Sequence, residues 1–148
     1  VIEVELDYPE IMQAAQIGMM RQIECIKWKS VHKNNLPRGD SWQMHIEGAL
    51  AEVALAKHLN VFHSKGQRAA LDVGPYEVRS TPSHTNRLIV QKDDPDDHFC
   101  WLVTGSDGSY RIHGGMRYGE AKDQKYWTDP VGGRPAYFVP QCDLYFPS

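Results

Sequence analysis

The chain is poor in cysteine, with three in 148 residues. Cys25, Cys100 and Cys142 are far apart, odd in number, and form no C-x2-C pair. That excludes a disulfide framework and points to free thiols in a reducing compartment. No apolar run approaches the roughly 20 residues that span a bilayer. No signal peptide is visible either, so the expected location is the cytoplasm, with no membrane partner. Positive charge is not in excess: 16 Lys and Arg against 19 Asp and Glu give a formal net charge of −3. Any contact with nucleic acid must then come from a local patch. The chain lacks G-x4-G-K-S/T and G-x-S-x-G, which argues against a P-loop NTPase or an α/β-hydrolase. Its seven histidines show no H-x3-H or H-E-x2-H spacing. His58 and His63 come closest, without a cysteine pair, so zinc is not expected. Nothing marks a Cys-His nucleophile. Internal repeats and low-complexity segments are absent.

What is present fits one domain long enough to bury its own core. Ile2, Val4 and Leu6 alternate with Glu3 and Glu5, the pattern of a half-buried or edge strand. Asp7-Tyr8-Pro9-Glu10 reads as a helix start, with Asp7 as N-cap and Glu10 in capping-box position. Ile11, Ala15, Met19, Ile23 and Ile26, with Met12 beside them, make an apolar stripe that predicts a helix to about Lys29, its methionines serving as core filler. Ser30 to Asp40 is the most basic stretch and reads as a solvated loop.

Trp42 to Asn60 predicts a second helix, apolar on two faces and packed against a sheet, with Gly48, Ala49 and Ala51 permitting close approach. Its two acids, Glu47 and Glu52, lie about 140° apart around the axis, so only one is expected at any one site. Val61 to Arg68 is a connection. Arg87–Lys92 and His98–Thr104 read as strands flanking an exposed acidic turn, Asp93–Asp97, that lacks EF-hand spacing. A short strand over Tyr110–His113 is expected to break at Gly114-Gly115. One helical turn follows near Asp123–Pro130, then a last strand at Ala136–Val139, stopped by Pro140.

The stretch Ala69 to Thr81, AALDVGPYEVRST, organises the rest. Gly74-Pro75 is a turn signal between two alternating runs, and glycine at the first loop position suits a type II′ hairpin. Val73 then pairs with Tyr76, and Asp72 with Glu77. Directly paired residues share a face with Cβ atoms roughly 4.5–5.5 Å apart. Two carboxylates so placed repel unless a positive ion sits between them. Arg79 points to the same face as Glu77, and Val78 to the other.

Asp72, a short gap, then Glu77-Val78-Arg79 resembles the core motif of the PD-(D/E)XK nuclease superfamily. From the first strand to YFVPQCDL the chain resembles small phage and prophage proteins carrying that motif. The resemblance implies an α/β domain over 1–148, with a central mixed β-sheet flanked by helices and a restriction-endonuclease-like core. It implies a metal-dependent nuclease acting on DNA, phage-encoded and working in host cytoplasm, with a homodimer as a possible assembly. Mg²⁺ or Mn²⁺ would be held by Asp72, Glu77 and the Val78 carbonyl, with Glu52 as the helix acid. The usual lysine is replaced by Arg79, which cannot act as a base but can hold a phosphate oxygen. Lys92, at the end of its strand, is the substitute ammonium. Glu120 and Lys122 repeat the E-x-K spacing without an aspartate in hairpin register, and rank lower.

Overall fold

Alternation at the N-terminus and helical periodicity after it produce the first two elements. In the computed structural model, which describes residues 1–28, 41–63 and 71–148, β1 (Ile2–Glu5) turns Val4 inward and leaves Glu3 and Glu5 outside. Asp7 then caps α1 (Tyr8–Trp28). The Glu10 amide donates to Asp7 Oδ1 (3.0 Å) and the Asp7 amide to Glu10 Oε1 (2.8 Å), the expected capping box. The basic loop expected over Ser30–Asp40, and all but the start of the connection after Asn60, lie outside the described residues.

The second helix, α2 (Ser41–Leu59), is buried on every side from Ala49 to Ala56. Asn60, at φ +57°, ends it. The Val61 amide donates to the Ala56 carbonyl and the Asn60 amide to the Lys57 carbonyl, a Schellman closure with asparagine in the left-handed position.

The main sheet contains β1, β2 (Tyr76–Thr81), β4 (Phe99–Ser106) and β5 (Ser109–Arg117) in the order β1-β5-β4-β2. It is mixed: β2 runs parallel to β4, and the other pairs are antiparallel. A smaller antiparallel sheet holds β3 (Leu88–Val90), β7 (Ala136–Val139) and β6 (Trp127–Thr128), in that order. The parallel step from β2 to β4 needs a crossover, and β3 lies within it. The two runs flanking the acidic turn therefore belong to different sheets.

The helices cover one face of the main sheet, where Leu50, Ala54, Leu55, Trp101, Val103 and Ile112 form the first core. On the opposite face Leu88, Val90, Cys100, Leu102, Tyr118 and Val139 form the second. Being covered on both sides, β4 is buried continuously from Phe99 to Thr104. The chain is thus an α/β domain with a central mixed sheet. Among the described residues no helix is long and apolar enough to cross a membrane.

Three sequence expectations are corrected. First, α1 faces the other way: Ala14, Ile17, Gly18, Arg21, Gln22 and Cys25 are buried, while Met12, Met19, Ile23 and Ile26 are exposed. Small residues are needed inside because the helices cross closely at Gly18, where an added Cβ would lie 2.5 Å from Ile46 Cα. Second, Gly48 is not the close-approach glycine; nothing lies within 4 Å of its Cβ position. Third, β5 does not break at Gly114-Gly115. It continues to Arg117, and a side chain on Gly115 would strike the Cys100 carbonyl.

Gly18→Ala is expected to cost about 1–3 kcal/mol through overpacking against α2. Gly48→Ala should instead stabilise by up to about 1 kcal/mol, from helix propensity alone. Urea titrations of both variants check the contrast.

Candidate functional site

The site is built at β2, which among the described residues is the last strand on its side of the main sheet. Gly74 adopts φ +54°, and Pro75 after it has a fixed negative φ, which together suit the type II′ turn. Val73 and Tyr76 pair antiparallel across this turn. The expected pairing of Asp72 with Glu77 does not form. The Asp72 and Val73 amides both donate to the Tyr76 carbonyl (3.0 Å each), which closes the ladder one step early. Freed from the ladder, Asp72 turns its side chain to the strand edge, where its Oδ2 accepts the Val78 amide at 2.8 Å. A residue's N–H and C=O point to the same side of a strand. The Val78 carbonyl therefore leaves the sheet on the side that Asp72 occupies.

Parallel register with β4 sets the faces. Val78 lies beside Trp101 on the helix side, and Glu77 and Arg79 lie beside Cys100 and Leu102 on the second-core side. Glu77 accepts two short hydrogen bonds, from His98 Nδ1 and from the Tyr118 hydroxyl, both 2.5 Å. The Glu77 bond raises the His98 pKa above its ordinary value. An ionised carboxylate offers about four lone-pair positions. Two remain on Glu77, so these partners orient it without saturating it.

Behind the edge, on the helix side, Glu52 is buried. Arg21 grips it with two bonds, 2.9 and 2.6 Å, and His63 Nε2 lies 2.9 Å away. Burial raises the Glu52 pKa, but His63 and Arg21 outweigh it and hold the carboxyl below its usual range. Asp72 has the opposite balance. Burial first, then the Glu52 and Glu77 charges, push it up to about 6, against the pull of the Val78 amide and Arg21.

Arg79 donates to Asp94 Oδ1 at 2.8 Å and lies over the Tyr118 ring, 5.8 Å from its centroid. Asp94 is buried and also accepts the Gln91 amide, so the acidic turn is not wholly a solvated one. Arg79 and Arg87 line a cleft of about 270 Å³ together with Thr81, Asn86 and Gln91, and no acid lines it among the described residues. Gln141 Nε2 pins the wall of this cleft through the carbonyls of His84 and Asn86.

No protein-family model matches the chain, and neither the curated proteins nor the solved structures contain a match to it. What the site can do therefore rests on its own side chains.

Among the described residues no group of three His, Cys, Asp or Glu side chains is placed to hold a metal ion. Magnesium commonly takes only one or two carboxylates and fills its octahedron with water and phosphate oxygens. Asp72 and the Val78 carbonyl share the strand edge, one Asp72 oxygen having no hydrogen-bond partner among the described residues, and the Glu77 charge is felt at Asp72 from the second-core face. Glu52 is not available to an ion, because Arg21 already neutralises it; it reaches the site through its field on Asp72. Glu47 interacts with Gln43 and with Asp107 at the β4–β5 turn, and of the two helix acids it is Glu52 whose charge bears on Asp72. Lys92 is exposed and stands over Trp127 of the small sheet, 4.6 Å from the ring centroid. It forms no ion pair among the described residues, so no ammonium reaches Glu77 from that strand. The Glu120–Lys122 pair is split: Glu120 accepts from Tyr145, and Lys122 binds Asp96.

Sequence reasoning missed Arg21, His63, His98, Tyr118 and Asp94. Only Arg21 carried a signal, as a charge within an apolar helical pattern. The partners of Glu77 stand 21 and 41 residues away, beyond any local spacing rule. Burial pushes the Cys100 thiol up to about 12, so it is no nucleophile at neutral pH. Cys25 is buried between the helices, its sulfur 3.6 Å from His45 Nε2.

Asp72 makes a sharp prediction. Its folded-state pKa of about 6 lies above the usual 3.8. The folded chain therefore holds this proton more tightly than the unfolded chain does, and stability falls as pH rises from about 4 to 6.5. Asp72→Asn keeps an acceptor for the Val78 amide and removes the charge. Measured in chelator, it should match the parent below pH 4 and exceed it by about 1–3 kcal/mol above pH 7. A difference that does not grow with pH would refute the assignment.

Proposed function

We propose that the protein is a metal-dependent nuclease that hydrolyses phosphodiester bonds in DNA, with Asp72, Glu77 and the Val78 carbonyl holding Mg²⁺ or Mn²⁺. One observation carries this reading. Among the described residues, a half-buried carboxylate at a strand edge is crowded by two further carboxylates and forms no ion pair of its own, feeling only the Arg21 charge that Glu52 already holds. When bound, such an ion supplies a water of lowered pKa and neutralises charge building on a phosphate. The protein's own groups do the rest. His98 and Tyr118 fix the Glu77 rotamer, and the Val78 amide fixes Asp72. The arginine-lined cleft starts at Arg79, about 7 Å along the same strand face from Glu77. It offers a phosphodiester backbone the Arg87 guanidinium and several neutral donors, beside an Arg79 already paired with Asp94. The mixed sheet, with an acid-bearing helix against one face, is compatible with a restriction-endonuclease-like core.

A second reading has its own observation. Arg79 is committed to Asp94 and Tyr118, and Lys92 stands over Trp127, so among the described residues no lysine is placed to orient a water. A protein of this fold that binds nucleic acid without turning it over would look the same.

Incubation with single- and double-stranded DNA and RNA, with Mg²⁺, Mn²⁺ or chelator, separates the two. Metal-dependent cleavage that falls at least 100-fold in both Asp72→Asn and Glu77→Gln is the expected result. Binding without cleavage selects the second reading. Lys92→Ala is expected to leave any cleavage unchanged.

A further inference from the structure

The outer face of α1 is the part of the fold with no task so far. Met12, Gln16, Met19, Ile23 and Ile26 are all exposed, Ile23 by 53%. A surface helix ordinarily buries its large apolar side chains and shows its polar ones. Here Arg21 and Gln22 are inside, and methionine and isoleucine are outside. A contiguous apolar strip of this kind marks an interaction surface. We propose that α1 packs against α1 of a second copy of this chain, and that these five residues are the seam of a two-fold dimer.

The spacing argues for a helix as the partner. The five positions advance by four, three, four and three residues, the 3.5-residue period of a coiled-coil seam. They cover about 21 Å of helix. An interface between identical copies must complement itself. No charged residue stands in the seam, so two copies meet without like-charge repulsion. The one polar member, Gln16, faces its own counterpart when the helices run parallel, and an amide both donates and accepts. A single polar residue at such a position sets register and orientation in helix pairs.

Other occupants suit the strip less well. A membrane-surface helix carries lysine and arginine along its flanks. The flanks here are Gln13, Ala15 and Met20, with Lys27 alone at the end. The chain that follows, residues 29–40, brings only Val31 and Leu36 as large aliphatic side chains. That is too little to cover five seam positions. The seam lies on the side of α1 turned away from the sheet, so its test stands apart from the chemistry at Asp72.

Sedimentation velocity on the full chain at high micromolar concentration is expected to show a dimer. Ile23→Glu and Met19→Glu should weaken it by two orders of magnitude or more while the melting temperature holds. Val131→Glu, a charge on an exposed loop outside the seam, should leave it intact. In a Cys142→Ser background, Gln16→Cys should form an intermolecular disulfide on oxidation, as parallel pairing requires. A monomer at every concentration, a dimer unmoved by both seam variants, or a monomer that co-sediments with phosphatidylcholine vesicles would overturn the proposal.

Discussion

The bidentate bond between Arg21 and Glu52 is the constraint on which the rest of the architecture depends. It joins the two long helices in a buried setting, with both partners drawn from the helix interiors. Breaking such a pair is costly, because the survivor is left as an uncompensated buried charge. It also dictates orientation. With Arg21 turned inward, Gln22 and Cys25 must follow, and the large apolar side chains on the far side of α1 must face solvent. The close crossing at Gly18 is the steric counterpart of the same choice.

The same pair shapes the electrostatics of the β2 edge. Glu52 is neutralised by Arg21 yet still bears on Asp72, whose carboxyl sits well above the usual aspartate range. Glu77 approaches from the other side of the strand, oriented by His98 and Tyr118. Asp72 thus lies between a helix-side acid and a sheet-side acid, at a strand edge where the Val78 amide turns to it rather than into a ladder. The three acids belong to different layers, and only the edge position of β2 lets them act on one another. An interior strand would have its Val78 amide and carbonyl tied into a ladder.

Much of the backbone was legible in the sequence. The Asp7–Glu10 capping box, the extents of α1, α2 and β7, and the Gly74-Pro75 turn follow from local rules, because each depends on residues within a few positions of one another. Less of the site was legible. Asp72 and Glu77 could be nominated from a hairpin signal, but their relation could not. One bifurcated backbone bond ended the ladder early and sent Asp72 to the edge. The α1 stripe misled for a related reason. Periodicity reports that a helix has an apolar face, and not whether that face meets the core or another molecule. Lys92 failed because strand β3 joins the second sheet, a decision made by pairing with β7 almost fifty residues later.

Sequence by itself determined the local units: where helices start, where strands alternate, where the chain must turn, and which side chains carry charge. Those properties are written in spacings of two to four residues, which is the range over which backbone geometry acts. Only the tertiary structure decided which charges meet. Arg21 finds Glu52, Tyr118 finds Glu77 and Arg79 finds Asp94 across gaps of 31, 41 and 15 residues. Such meetings depend on how layers stack and which strand is left at an edge, and burial then gives each charge its strength.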